Sequence, residues 1–358
     1  MTNINRQWLF REFVQPDDVP GKQHYEWVES ERPVPQAGQI LVRVILLGTS
    51  PAQRMYVSAE REFHIVVEKG EVMQGRAIAE VIESHHADYQ VGDIIQAGMS
   101  WEDFVVLSPD EIDGNGKHVV EIEKLENPTR PLTTTLGLFG QLGCSAWVSM
   151  IEIAQVKQGD TVLISAAAGG VGSIACQLAR IKGAKHIVGI AGGPEKTQWL
   201  LEQGLCDAAI DYKNENLAEA IPREFPDNID VFLDNVGGET LDLALKHIAV
   251  GGRLAICGSI STEYVRPRPP GPTHYYNLIY RRARMEGFFV FDYIDRWPEF
   301  IAQMKEWYAQ GKMQMTDHVF DGLEHAPDAL GSLFSGGNKG GCLIRVSPDP
   351  ESLPSLDA

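Results

Sequence analysis

The sequence predicts an α/β fold: a doubly wound parallel sheet, preceded by a β-rich domain and followed by a tail that returns to that first domain. Three observations carry this. From about Leu136 onward, short apolar runs alternate with helix-length segments, the rhythm of βαβ units whose strands are buried on both faces. Before that point the chain shows many short strand-like runs punctuated by Gly and Pro. The length of 358 residues suits two domains.

In the first domain, residues 39–48, 77–84 and 100–107 read as strands, with turns at 91–93 and 113–116. In the second, strands are expected at 161–167, 186–192, 208–212, 230–236 and 253–258. Helices are expected between them at 173–182, 195–203, 217–221 and 239–247. Residues 267–272, four prolines among six, form a loop. Residues 297–308 make an amphipathic helix with Phe300, Met304, Trp307 and Tyr308 on its apolar face. From Met313 the chain returns to short strands. The domains are therefore drawn as 1–137 completed by 313–348, 138–312 between them, and a tail at 349–358.

Composition narrows the function. Hydrophobic residues are 44% and charged residues 22%, ordinary for a soluble globular protein. Lys and Arg number 31 against 49 Asp and Glu, a net charge of −18 that repels nucleic acid and anionic membrane alike. No apolar run has transmembrane length, and the start of the chain lacks a signal-peptide core, so a cytoplasmic protein is expected. The five cysteines are scattered without a C-x-x-C pair, which speaks against a disulfide framework and a structural zinc cluster.

The strongest motif is residues 166–172, AAAGGVG, between a strand and a helix. It is a G-x-G-x-x-G pattern with Ala167 in the first glycine position, then Gly169 and Gly172. Glycine lets backbone approach a pyrophosphate, and the helix start offers free N–H groups. About 20 residues on, where an NAD site places a carboxylate on the ribose, stand Ala191, Gly192 and Gly193. Glycines leave room for a phosphate, Lys196 supplies a counter-charge one turn later, and Tyr212 ends the next strand. NADP(H) is the expected cofactor. Gly75-Arg76 replaces the His-Glu pair of zinc alcohol dehydrogenases, and residues 1–143 hold no cysteine, so no metal is expected.

Further motifs follow in order: SAAAGGVGS (165–173), GIAGGPEK (189–196), DYKNE (211–215), DVFLDNVGGE (230–239), RLAICGSIS (253–261), RPPGP (268–272), MEGFFVFDY (285–293) and GGNKGG (336–341). Over about residues 35–346 the chain resembles the zinc-independent medium-chain dehydrogenases/reductases. Within them it is most similar to the leukotriene B4 dehydrogenase and prostaglandin reductase group, the plant double-bond reductases and the curcumin-reductase-like enzymes. The resemblance implies a Rossmann domain, a GroES-like N-terminal domain, and a homodimer. It implies NADPH-dependent reduction of the carbon–carbon double bond of an α,β-unsaturated ketone or aldehyde.

Residue by residue, the resemblance places Gly169, Gly170, Val171 and Gly172 on the pyrophosphate, and Gly192, Lys196 and Tyr212 at the adenosine 2′-phosphate. Asn235 meets the cofactor ribose. Cys257, Gly258, Ser259 and Ile260 line the nicotinamide. Phe288, Phe289 and Val290 hold the carboxamide through backbone groups, and Asn338 reaches the cofactor from the tail. Tyr264 is the candidate catalytic residue, donating to the enolate oxygen alongside the nicotinamide ribose hydroxyl, with Tyr56, Tyr275 and Tyr276 as further pocket residues. The chain departs from the family at residues 50–54, SPAQR, and at Glu263, inserted before Tyr264. Arg266, Arg268 and His274 read either as recognition of an acidic group or as solvated surface. Competing readings are an NADPH quinone reductase and a non-catalytic NADPH-binding sensor.

Overall fold

Apolar side chains crowd both faces of Ile40–Gly48, and this run becomes the central strand of the first of two units. The computed structural model describes residues 3–60, 66–111 and 122–356. One unit comprises Met1–Leu136, His318–Gly337 and Cys342–Ala358; the other comprises Gly137–Asp317 and Asn338–Gly341.

The first unit opens with β1 (Ile4–Phe10) paired antiparallel to β2 (Tyr25–Glu31). Then come β3 (Ile40–Gly48), the short helix α1 (Gln53–Tyr56), β4 (Gln74–Ser84), β5 (Ile94–Ser100), β6 (Phe104–Leu107), β7 (Glu123–Lys124) and α2 (Thr133–Leu136). β3 pairs antiparallel with both β4 and β6. Its core holds Phe10, Val42, Met73 and Trp101, all within 1% of complete burial. The turn expected at 113–116 lies outside the described residues.

The second unit starts with α3 (Gln141–Trp147), then alternates β8 (Thr161–Ile164), α4 (Gly170–Ile181), β9 (His186–Ala191), α5 (Pro194–Glu202), β10 (Ala208–Asp211), α6 (Leu217–Glu224), β11 (Ile229–Asp234), α7 (Gly238–Lys246) and β12 (Ile248–Ile256). It closes with α8 (Asn277–Tyr280), β13 (Arg284–Gly287) and α9 (Trp297–Ala309). The six strands are parallel in the order β10-β9-β8-β11-β12-β13. The order reverses between β8 and β11, which opens a ligand crevice at the carboxyl ends of those strands. β12 begins earlier than the expected 253, because Ile248 pairs with Ile229 and a register shift carries the ladder past the glycine pair at 251–252. α4 begins at Gly170 rather than 173; the glycines that look like a loop already form the first helical turn.

The returning segment adds β14 (Asp317–Asp321), α10 (Ala326–Ser335) and β15 (Gly341–Arg345). β15 pairs with β3, giving the order β14-β15-β3-β4-β5-β7 with β6 on β3. The sequence reading did not foresee α10, whose C-terminus is closed by Gly336 in the left-handed region at φ +77°. The unit seams also differ from the expected ones. Residues 313–317 and 338–341 remain with the parallel-sheet unit, and the tail belongs to the first unit, where Arg130 Nε donates to Leu353 O at 2.8 Å. Among the described residues no helix is long and apolar enough to cross a membrane.

Asp317 is a costly feature of this return. Burial pushes its carboxyl from 3.8 up to about 7, and its Oδ2 meets no hydrogen-bond partner. The folded state therefore holds this proton more tightly than the unfolded chain does. The group's stabilising balance is lost as pH rises from 3.8 through about 7. Asp317→Asn is expected to raise the melting temperature more at about pH 8 than at about pH 5, measured by scanning calorimetry. An equal gain at both values would show that the carboxyl is not displaced in this way.

Candidate active site

The loop after β8 is built by backbone constraint. Ala166 sits at φ +47°, a left-handed geometry that costs a non-glycine residue about 1–2 kcal/mol. The turn therefore bends at Ala166, one residue before the position that the motif assigns to its first glycine. Gly169 N donates to Ala166 O at 2.9 Å, and Ala167 N donates to Ile190 O of β9 at 3.0 Å. A Cβ at Gly172 would lie 2.3 Å from Ala166 O and 2.7 Å from Ala167 Cα, so only glycine fits. Gly170, Val171 and Gly172 occupy the first turn of α4, where backbone N–H groups have no intrahelical acceptor and the helix dipole favours an anion. The returning chain is laced to this loop. Gly340 N donates to Ala168 O at 2.8 Å, and the buried Asn338 holds the turn by donating from Nδ2 to Gly340 O at 3.0 Å.

Beyond β9 the site becomes positive. Gly193 N donates to Asp211 Oδ1 at 2.7 Å, and the same oxygen accepts from Lys213 N at 3.1 Å, so Asp211 locks the tips of β9 and β10 together. Gly192 is a close-approach position, since a Cβ there would fall 2.7 Å from Tyr212 Cε1 and 3.0 Å from Lys213 Cε. Lys196 lies in the first turn of α5. Burial first, then the ammonium groups of Lys213 and Lys339, push its pKa down. Lys339 also reaches Glu195 Oε2 at 3.9 Å. Three cations gathered over glycines, with the half-exposed Tyr212 ring beside them, make a site for a phosphate monoester. The residues present fit a dinucleotide whose adenosine ribose carries that phosphate. Lys213, Lys339 and Asp211 were not singled out in the sequence. Each lysine directly follows a residue that was, but only the fold brings the two together.

The other strand tips complete one edge. Asn235 follows β11, with Nδ2 donating to Ser165 O at 2.8 Å. Cys257, Gly258, Ser259 and Ile260 follow β12. Phe288, Phe289 and Val290 follow β13, which pairs in parallel with β12 so that Gly287 stands opposite Ile256. Both stretches thus leave the sheet at its carboxyl end. Tyr264 is 8% exposed and ends a tight segment in which Thr262 N and Glu263 N both donate to Ser259 O. Glu263, the inserted residue, accepts from Ser259 Oγ at 3.4 Å.

The remaining candidates are dispersed. Tyr56 belongs to the first unit, at the end of α1, where burial pushes its hydroxyl up to about 12. Tyr275 and Tyr276 are 61% and 44% exposed on a short helix anchored to α7 by Asp242, which accepts from Thr273 Oγ1 and His274 N at 2.7 Å each. His274 Nδ1 also lies 3.0 Å from Asp242 Oδ2.

A family model described as "Zinc-binding dehydrogenase" matches residues 170–306, and one described as "N-terminal domain of oxidoreductase" matches 6–114. The donor set does not fit zinc: among the described residues no group of three or more His, Cys, Asp or Glu side chains is placed to hold a metal ion. Burial raises the Cys144 and Cys257 thiols to about 12. The chain is 32% identical over 350 residues to an NADPH-dependent curcumin reductase of Escherichia coli, covering 96% of this chain and 98% of that one. It is 32% identical over 346 residues to a 2-alkenal reductase (NADP(+)-dependent) of Nicotiana tabacum, covering 96% and 98%. The crystal structure of CurA from Vibrio vulnificus in complex with NADPH superposes with a TM-score of 0.86 at 31% identity, covering 96% and 100%. With 96% of the chain matched to such relatives, the chain belongs to the medium-chain dehydrogenase/reductase family, in the zinc-independent group of the curcumin and 2-alkenal reductases.

Proposed function

We propose that this protein is an NADPH-dependent reductase of the carbon–carbon double bond of α,β-unsaturated ketones and aldehydes. The observation that carries the reading is the end-to-end similarity to reductases named for NADPH and for such substrates, in a chain whose own lysine cluster fits the extra phosphate. When bound there, NADPH would supply the hydride for the substrate β-carbon. Gly170, Val171 and Gly172 would hold its pyrophosphate, Lys196 and Tyr212 the adenosine phosphate, Asn235 the ribose, and the Phe288–Val290 backbone the carboxamide. Negative charge then gathers on the substrate carbonyl oxygen, and a hydrogen-bond donor aimed at it lowers the barrier. Tyr264 supplies that donor, and its buried position favours a strong hydrogen bond.

The test is NADPH consumption with a panel of enones, enals and quinones, with NADH as control. Saturable oxidation with enones, giving product saturated at the carbon–carbon bond, is expected. Turnover confined to quinones would overturn the reading, and so would NADPH binding without turnover on any acceptor. Tyr264→Phe should lower kcat by about 10–100-fold at unchanged NADPH affinity. Undiminished turnover would remove Tyr264 from the chemistry.

The same reading includes a cytoplasmic homodimer. Its support is the edge strand β13 and the bare apolar side chains around it: Tyr275, Ile279, Tyr280 and Phe289 are 61%, 72%, 70% and 47% exposed. An unpaired edge flanked by such a patch favours two-fold pairing with a second copy. A monomer by sedimentation equilibrium at micromolar concentration would exclude it.

A further inference from the structure

Three strand tips of the parallel sheet carry the cofactor-facing residues, and one buried carboxylate joins them. Asp234 ends β11 with no exposed surface. Its Oδ1 accepts from Ser165 Oγ at 3.1 Å and from Val236 N and Gly237 N at 2.9 Å each. Ser165, just after β8, is tied in turn to Asn235, whose N donates to Ser165 Oγ and whose Nδ2 donates to Ser165 O, both at 2.8 Å. On the other side the Asp234 carbonyl accepts from Cys257 N at 2.8 Å and Gly258 N at 3.1 Å, just beyond β12.

The turn held by the carboxylate is also a landing for the next segment. Ser261 donates to Val236 O from N at 3.0 Å and from Oγ at 2.7 Å. Gly237 and Gly238 stand at φ +77° and +59°, and a Cβ at Gly238 would lie 2.9 Å from Ser261 Oγ, so the two segments are in close contact. Tyr264 directly follows Glu263, whose N donates back to Ser259 O. The path from the carboxylate to Asn235 runs through one turn, and the path to Tyr264 through Val236 and Ser261.

This arrangement is expensive. The Asp234 Oδ2 is buried without a hydrogen-bond partner, and burial outweighs the three bonds at Oδ1 to push the carboxyl above its ordinary value. An Asn would serve a simple turn at lower cost, because it carries no charge to desolvate. Fully buried groups that break the rules of economy cluster at functional sites.

We propose that Asp234 is a positioning residue for hydride transfer: its carboxylate orients Asn235 toward the cofactor ribose and sets the 259–264 segment that carries Tyr264. The proposal rests on the reductase reading for its turnover arm, and its affinity arm stands without it. Asp234→Ala, Asp234→Asn and Ser165→Ala are compared with the parent protein by NADPH titration, steady-state kinetics on an enone and thermal melting.

Asp234→Ala is expected to raise the NADPH Kd about tenfold and lower kcat by at least about tenfold, with acceptor KM nearly unchanged. Asp234→Asn keeps an acceptor at Oδ1 and should restore the NADPH Kd to within about threefold of the parent. Ser165→Ala should weaken NADPH binding, because it removes the Oγ that accepts from Asn235 N and donates to Asp234, and it tests the proposal even where Asp234→Ala does not fold. A lower melting temperature with NADPH Kd and kcat unchanged would mean a merely structural carboxylate and would overturn the proposal. If the parent protein turns over no enone while the variants still lose NADPH affinity, the substrate reading fails and the positioning role stands.

Discussion

Gly172→Ala is expected to abolish useful NADPH binding while leaving the protein folded. The added methyl would meet Ala166 O at 2.3 Å and Ala167 Cα at 2.7 Å, both backbone, so no side-chain rotation relieves it. Ala166 is already at φ +47° and its carbonyl already accepts from Gly169 N, so the loop has no slack with which to retreat. An overpacking penalty of up to about 3 kcal/mol on the loop conformation that receives the cofactor corresponds to roughly hundredfold in Kd. Gly169→Ala provides the contrast, since its Cβ would stand 3.2 Å from Ala166 O with φ −89°, and a much smaller loss is expected. Fluorescence titration of both variants reads the difference directly. Equal affinities for the two would show that the close approach at Gly172 does not set cofactor binding.

Lys196→Ala should convert a strong preference for NADPH over NADH into a weak one. The side chain sits with Lys213 and Lys339 at the tips of β9 and β10, where burial and like charge make its ammonium unfavourable until an anion arrives. Charge-assisted hydrogen bonds to a phosphate in such a site are worth about 1.5–3 kcal/mol, or roughly 10–100-fold in NADPH affinity. NADH lacks the phosphate, so its Kd should not move. Lys339→Ala should cost less, because its side chain is 41% exposed and already faces Glu195. Parallel titrations with the two cofactors, repeated at raised salt, check this. A loss shared equally by NADPH and NADH would refute a phosphate-specific role for Lys196.

These two predictions differ in how far each was legible before the fold was known. Gly172 could be named from the chain alone, since the strand–glycine–helix pattern reports a local backbone demand: a turn too tight for a Cβ beside a free helix N-terminus. Lys196 and Tyr212 could be named too, the first by its place after a glycine pair lacking a ribose-binding carboxylate, the second at the end of a strand. Lys339 could not, because it lies more than a hundred residues away and meets Glu195 only after the tail has folded back along the glycine loop. The bend at Ala166 was displaced by one residue for a related reason. A motif counts positions, whereas the hydrogen bond from Ala167 N to Ile190 O of β9 decides which residue turns.

The sequence by itself determined the alternation of five of the six parallel strands with helices, the β-rich first unit, the glycine loop and most of the residues along the strand tips; β13 was not foreseen. Periodicity, turn chemistry and helix-start geometry are short-range, so they can be read within a dozen residues. Only the tertiary structure decided where α10 lies, that residues 338–341 rejoin the parallel-sheet unit, and that Lys213 and Lys339 gather around Lys196. The same holds for Asp234, whose carboxylate spans Ser165 and the turn after β11, and for Asp317, whose proton is held by burial. Each depends on which distant groups approach within a few ångströms, and on how much water the packed chain excludes from them. Charge and desolvation are properties of that packing, and no local pattern encodes them.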